Sequence, residues 1–179
     1  MRGLIILAAT IALAACDSGG VPPPGQEPLR ASSPQVSANQ VELRADGLAA
    51  GTDAFYYAAG QTEVIAAVER ALGVTSDVAT NEECGAGPVD VARFGEDLIL
   101  NFQDGSLVGW FVSGARDDIA VAGDVQVGTS RAKAQEAKGF APFADSTLGE
   151  EFALGDKVGG IIEDDAVSVL YAGTQCFFR

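Results

Sequence analysis

The sequence predicts an α+β fold in which two helix-plus-antiparallel-hairpin repeats form one sheet-based domain, after a signal peptide and a disordered tether. Three observations predict it. An apolar run opens the chain, a proline-rich stretch follows, and the remainder shows one order of elements twice: a helix, a glycine, then hairpins with acidic turns. The expected boundaries are 1–15 for the signal peptide, 16–40 for the tether, 41–116 for the first repeat and 117–179 for the second.

The first segment has the pattern of an export signal. Residues 4–15 are apolar apart from Thr10, and Arg2 is the only charge before Asp17. This run is shorter than the ~20 residues that a membrane-spanning helix needs. A basic start followed by a short apolar region and small residues is typical of a secretory signal peptide.

The end of this run has a short motif that bears on how the protein is attached. Residues 13–16 read Leu-Ala-Ala-Cys and resemble the lipobox of bacterial lipoproteins. The resemblance implies that Cys16 is lipidated on its sulfur and becomes the new N-terminus. Acyl chains on Cys16 would anchor the protein to a membrane of the cell envelope without spanning it. The alternative is an ordinary signal peptide with an incidental cysteine.

Residues 17–40 predict a disordered tether. They contain five of the chain's seven prolines together with serine and glycine. Such a composition cannot bury a core and stays extended or disordered. About 140 residues remain after it, which is enough for one hydrophobic core.

The charge of the chain excludes some partners. With 25 acidic and 11 basic residues, the formal net charge is -14. Nucleic-acid binding needs a basic footprint, so we expect no nucleic-acid partner. The same charge argues against binding of the folded domain to anionic lipid surfaces. The lipobox resemblance implies a domain of the cell envelope that faces the periplasm or the exterior, held to the membrane by its lipid.

Two cysteines remain once Cys16 carries lipid. Cys84 and Cys176 form an even pair in an exported protein, where disulfides form and persist. We expect them to be bonded, which would let Phe177 or Phe178 pack against the first half. Two free buried thiols are the alternative.

The first repeat contains the clearest helix, at residues 62–72. Its apolar side chains fall on one face at helical spacing: Val64, Ile65, Val68 and Leu72. Thr62 is the expected N-cap and Gly73 the expected C-terminal stop. Strands are predicted at 89–94, 98–102 and 107–112, with an Asp104–Gly105 turn of the kind that suits positive φ.

The second repeat follows the same order with a weaker helix at 129–138, closed by Gly139. Strands are predicted at 151–154, 158–162 and 166–171. A shift of sixty residues aligns the acidic turn at Asp104 with Asp164, and Trp110–Phe111 with Leu170–Tyr171. We interpret this as an internal duplication.

Residues 123–139, a glycine-flanked apolar segment followed by a helix and a glycine, resemble the start of the β-lactamase-inhibitory-protein-like fold. Small outer-membrane-assembly lipoproteins share that fold. The resemblance implies short helices packed on an antiparallel sheet. This chain departs from it by inserting residues 52–59 before the first helix and by linking the two halves with its predicted disulfide.

The chain shows no sign of catalytic chemistry. It has no histidine, which removes Ser-His-Asp and Cys-His catalysis and histidine metal sites. Ser130 and Lys133 have the S-x-x-K spacing of penicillin-binding enzymes, but the supporting Ser-x-Asn is not between them and residues 157–159. Acidic turns lack the spacing of a calcium loop. We predict no enzyme activity, no cofactor and no metal.

Two classes of function follow. The first is a membrane-anchored, non-catalytic lipoprotein that binds an envelope protein or supports an envelope assembly. The second is a module that inhibits a hydrolase or sequesters a small ligand. Trp110 and Phe111 are the candidate partner surface. Strand alternation puts the two side chains on opposite faces, so one of them is expected to be exposed. The alternative is that both belong to the core, as mid-strand aromatic residues more often do.

Overall fold

The structure, a computed structural model, describes residues 37–38 and 40–177. Within this part no helix is long and apolar enough to cross a membrane. The first half contains β1 (Val41–Arg44), β2 (Gly47–Ala50), β3 (Asp53–Tyr56), α1 (Gln61–Leu72), β4 (Asp77–Asn81), β5 (Val89–Phe94), β6 (Leu98–Gln103) and β7 (Ser106–Val112). The second half contains β8 (Ile119–Val121), α2 (Arg131–Gln135), β9 (Phe140–Pro142), β10 (Glu150–Leu154), β11 (Val158–Glu163) and β12 (Ala166–Gly173).

The strands form two sheets. The large sheet has eight strands in the order β4-β5-β6-β7-β12-β11-β10-β9, and each neighbouring pair is antiparallel. The small sheet has the order β3-β2-β1-β8, in which β1 and β8 run parallel. The protein is therefore a mostly-sheet domain with two helices, and the predicted antiparallel sheet is confirmed. The prediction did not include the second, smaller sheet.

One hydrophobic cluster joins both sheets and both helices. Its largest fully buried side chains come from alternate positions of the large sheet: Phe94, Leu98, Leu100, Phe102, Trp110, Phe152 and Leu170. The small sheet contributes Leu43 and Leu48 to this cluster, and α1 contributes Val64 and Val68. The large sheet therefore has an inner face on this core and an outer face directed away from it, which positions the candidate site.

The helix α1 confirms the first helix prediction except at its start. Gly73 ends it in the left-handed conformation, and its N–H donates to the Glu69 carbonyl at 2.8 Å. Gly60, and not the predicted Thr62, is the N-cap, and no side chain caps the helix. The reason is that the Gln61 N–H donates to the Gly105 carbonyl at 2.8 Å, so the neighbouring hairpin takes the place of a capping side chain.

The second helix is shorter than predicted. It covers only Arg131–Gln135, and Ala134 is its one buried residue. Beyond it, the Ala137 N–H donates to Ala134 and the Phe140 N–H to Ala137, each to the residue three positions earlier. These are 3₁₀-type bonds. The prediction of a helix over 129–138 is wrong because a face of alanines buries too little surface to hold a longer one.

The strands predicted at 89–94, 98–102 and 107–112 pair consecutively, as do those at 151–154, 158–162 and 166–171. The sequence prediction missed six strands: β1, β2, β3, β4, β8 and β9. These segments are short, and β4 and β9 lie at the edges of the large sheet, where most of their side chains are exposed.

The turns of the two halves share backbone conformations. Asp104 has φ 51° and Asp164 has φ 48° in the hairpin tips, and Gly95 (69°) and Gly155 (63°) are likewise left-handed. The register shifts between residues 101 and 102 in one half and between residues 161 and 162 in the other. All of these positions are sixty residues apart.

The first residues of both helices form the same main-chain contacts with the following hairpin. Gly60 bridges to Ser106 before α1, and Ser130 bridges to Ala166 before α2. The Arg131 N–H donates to the Asp165 carbonyl at 2.8 Å, which matches the bond from Gln61 to Gly105. These parallels describe the geometry, and the duplication itself stays a prediction.

Candidate functional site on the outer face of the large sheet

The outer face of the large sheet carries an aromatic and aliphatic row across its centre. Ile99 on β6 lies opposite Phe111 on β7, which in turn lies opposite Tyr171 on β12. All three side chains are half-buried. They point away from the core because successive side chains of a strand alternate between faces, and Leu100, Trp110 and Leu170 take the inner positions.

The segment after β12 crosses this face and adds a fourth member to the row. The Phe177 ring packs edge-on against Phe111, with ring centroids 6.4 Å apart, and against Tyr171 at 4.9 Å. We call Ile99, Phe111, Tyr171 and Phe177 the outer-face patch. Aromatic pairs in this geometry gain about 0.5–1.5 kcal/mol beyond their buried area, so the patch is ordered as well as partly exposed.

A disulfide fastens that segment. Cys84 and Cys176 are bonded, with their Cα atoms 4.9 Å apart, in agreement with the predicted pairing. Cys84 also packs with Val89 and Val91 in a small apolar cluster on the outer face. The bond therefore holds the C-terminal segment on the sheet beside the patch.

Two buried or half-buried amide side chains hold the same segment by hydrogen bonds. Asn101, only 5% exposed, donates to the Thr174 carbonyl at 2.8 Å. Gln175 donates to the carbonyls of Trp110 at 3.0 Å and Ala172 at 2.8 Å. The segment is thus fixed to β6 through its Thr174 carbonyl and to β7 and β12 through its Gln175 side chain, in addition to the disulfide.

A small cavity opens between the patch and the segment. It encloses about 180 Å³ and is lined by Val91, Ile99, Asn101, Phe111, Gln175 and Phe177, with Cys176 at its side. Most of this lining is apolar, with two amide groups. The cavity has the size and chemistry to hold a single apolar side chain.

The Tyr171 ring is oriented by groups on the neighbouring strands. Its hydroxyl donates to Glu151, a carboxylate that is 1% exposed, and Ser146 donates to the other oxygen of that carboxylate at 2.5 Å. The ring itself lies over Gly159, where an added Cβ would collide with it. Gly159 therefore leaves the space that the ring occupies.

The two residues of the predicted partner surface lie in different places. Trp110 is 0% exposed, and its indole N–H donates to the Arg44 carbonyl at 2.7 Å, so it belongs to the core and joins the two sheets. This corrects its assignment to a surface. Of the pair, only Phe111 reaches the solvent, because β7 alternates and the core takes the Trp110 face.

The remaining predicted positions do not gather at the patch. Ser130 caps α2 by its backbone, Lys133 is exposed on that helix, and Lys157 lies in the turn before β11. Cys16 lies outside the described residues. Comparisons with protein-family models, with curated proteins and with solved structures find no match to this chain.

Sequence reasoning named Phe111 but not Tyr171 or Ile99 as part of a surface. The signal was present in the sixty-residue shift, which aligns Phe111 with Tyr171. The sequence did not predict that β7 and β12 are neighbours, because this pairing joins two distant halves of the chain.

Proposed function

We propose that the protein is an envelope lipoprotein whose folded domain is non-catalytic and binds a partner protein through the outer-face patch. Cys16 carries the lipid, and residues 17–40 form the tether between membrane and domain. The observation that carries the binding proposal is the patch itself: four partly exposed apolar side chains in contact on one sheet face. Aromatic side chains of this kind are enriched at protein–protein interfaces.

The anchor is supported by the sequence alone. An apolar run with a basic start ends in Leu-Ala-Ala-Cys at residues 13–16 and is followed by a proline-rich stretch. Neither feature serves a globular core. A single acyl chain gives only reversible membrane binding, whereas the several chains of a bacterial lipoprotein cysteine give stable attachment.

We also propose that the domain arose by duplication, with one repeat in 41–116 and the other in 117–179. The matching turn conformations, register shifts and helix starts support it, as does the strand order of the large sheet. In this arrangement β7 and β12 are corresponding last strands that pair antiparallel at the centre. Phe111 and Tyr171 are then corresponding residues, and the patch lies where the repeats join.

The proposal is tested by purifying the full chain from detergent-solubilised envelopes together with whatever is bound. A stoichiometric envelope protein that is lost in Phe111→Ser supports it. Val78→Ser is the matched control, because Val78 is an exposed apolar side chain of the same sheet outside the patch. Recovery of a secreted hydrolase instead would favour an inhibitor, and an unchanged set of proteins with Phe111→Ser would refute the role of the patch.

The anchor is tested separately with Cys16→Ser and cell fractionation. We expect this variant to leave the membrane fraction and to lose the mass of the lipid. A variant that stays in the membrane with unchanged mass would refute lipidation without bearing on the patch.

A further inference from the structure

A groove runs between the small sheet and α1, away from the outer-face patch. Strand β3 is the free edge of the small sheet, and the exposed side of α1 lies alongside it. The groove encloses about 590 Å³, within the range of about 300–1,000 Å³ that is usual for binding sites. Its main lining residues are Asp53, Ala54 and Phe55 on the strand and Glu63, Ala66 and Arg70 on the helix.

The strand side of the groove offers unpaired main-chain groups. The Tyr57 N–H donates to the Asp46 carbonyl at 2.8 Å, so these two residues, each adjacent to the end of its strand, form a hydrogen-bonded pair that continues the β2–β3 ladder. Such pairs alternate along an antiparallel ladder, which directs the main-chain groups of Ala54 and Tyr56 to the free edge. The Tyr56 carbonyl accepts from Ala59 at 3.0 Å. No hydrogen bond within the described chain uses the N–H and C=O of Ala54 or the N–H of Tyr56.

The helix side of the groove is a stripe with a small residue at its centre. Glu63, Ala66 and Arg70 are spaced by three and four residues, so they share one side of α1. Arg70 and Asp53 form an exposed ion pair at 3.5 Å, which closes one end. At the other end Glu63 is exposed, and it forms no ion pair with any residue between 40 and 177.

We infer that this groove binds an extended segment of a partner polypeptide, which adds to β3 as a further strand and carries a basic side chain beside Glu63. Strand addition between an edge strand and a helix is a recurring mode of peptide recognition. The N–H and C=O of Ala54 and the N–H of Tyr56 can form hydrogen bonds with the main chain of an extended segment. Alternate side chains of the added strand would face the helix, where Ala66 leaves room for an apolar one.

Charge favours this occupant over a second copy of the chain. The chain carries a net charge of -14, so a basic segment is attracted to the groove and another copy is repelled. The inference goes beyond the proposed function, because it depends neither on Cys16 nor on the outer-face patch.

The test selects peptides from a phage-displayed library of random 12-residue sequences on the immobilised full chain. We expect enrichment of sequences that alternate apolar and polar residues and contain Lys or Arg. Their affinity should fall at least tenfold in Ala66→Gln, which fills the space at the centre of the helix side of the groove. Ala132→Gln makes the same change on the exposed side of α2 and should leave affinity unchanged.

Two further variants test the mode of binding. Ala54→Pro removes an N–H that is outside the β2–β3 ladder, so the fold should persist while affinity falls at least tenfold. Glu63→Gln should lower affinity several-fold for peptides with Lys or Arg, whereas Glu136→Gln should not. Circular dichroism and thermal unfolding confirm that each variant is folded.

Two outcomes would overturn the inference: no enrichment of any peptide, or selected peptides that bind Ala54→Pro and Ala66→Gln as tightly as the parent chain. Selected peptides that are lost only in Phe111→Ser would also overturn it, because they would bind the outer-face patch. A synthetic peptide of residues 22–36 serves as competitor. If it displaces the selected peptides from the groove at equal concentration, the occupant is the chain's own tether and the partner is refuted.

Discussion

Tyr171 lies directly opposite Phe111 across the seam between β12 and β7, and the seam joins the two halves of the chain. The ring of Phe177 packs against both. This three-ring contact depends on the position of the Tyr171 ring, which lies over Gly159 on the next strand. The patch is therefore built by residues from distant parts of the sequence. A substitution at Gly159, under the Tyr171 ring, should change its geometry.

Gly159→Ala is expected to displace the Tyr171 ring and to lower the free energy of unfolding by about 1–3 kcal/mol, the usual cost of overpacking. Near-ultraviolet circular dichroism should change, because the aromatic contacts of the patch are disturbed. Gly85→Ala is the matched control, since an added Cβ there meets no atom within 4 Å. Equal stability of the two variants, measured by urea unfolding, would show that the ring does not need the space above Gly159.

Cys176→Ser is expected to lower the free energy of unfolding by about 2–5 kcal/mol, since the disulfide constrains the unfolded chain. Amide exchange should rise first in residues 174–177, because only hydrogen bonds and the packing of Phe177 would then hold the segment. Cys84→Ser should cost the same, and the double variant no more than either. Mass spectrometry without reductant checks the bond directly, and native protein in which both thiols alkylate would contradict it.

We expect the folded protein to lose stability at high pH because of the buried Tyr57. Burial, and to a lesser extent the charge of Asp46, raises the pKa of Tyr57 to about 12 from 10.0. Because the folded chain holds the proton more tightly, this contribution is complete below pH 10 and is lost as the pH rises from 10 to about 12. The expected loss is about 1–2 kcal/mol, which is the size of the shift reduced because solvent still screens part of the side chain.

Tyr57→Phe should remove that loss, and urea unfolding between pH 8 and pH 12 measures it. At pH 7 we expect the variant to be as stable as the parent or about 1 kcal/mol more stable. The reason is that the buried Tyr57 hydroxyl has no hydrogen-bond partner among the described residues. Tyr56→Phe, at an exposed neighbour, is the control. Parallel pH profiles for the parent and Tyr57→Phe would refute the assignment.

The sequence was informative where one periodic pattern dominated. The alternation of Leu98, Leu100 and Phe102 predicted β6 and its buried face, and Asp104–Gly105 predicted the hairpin tip. The pair Cys84 and Cys176 was predicted by parity and export, and the disulfide is present. The strand and the turn are decided by local chemistry, and the disulfide, which spans 92 residues, was predictable because only one pair of cysteines remained.

The sequence was uninformative where long-range pairing decides. Strand β8 is three residues long and forms because it lies parallel to β1, far away in the chain. Trp110 lies in the core because Arg44 and the small sheet cover it, and that sheet was not predicted. The free edge of β3 follows from the same pairing, so the groove beside α1 could not be predicted either.

The most direct test of the proposed function places a photo-crosslinking residue, p-benzoylphenylalanine, at position 111 in intact cells that carry the full chain. The account predicts one discrete cross-linked protein from position 111 and none from position 78, an exposed site of the same sheet outside the patch. The product should disappear in Cys16→Ser, because the chain is then released from the membrane where its partner is expected. No product at position 111, or the same products from both positions, would contradict binding through the outer-face patch.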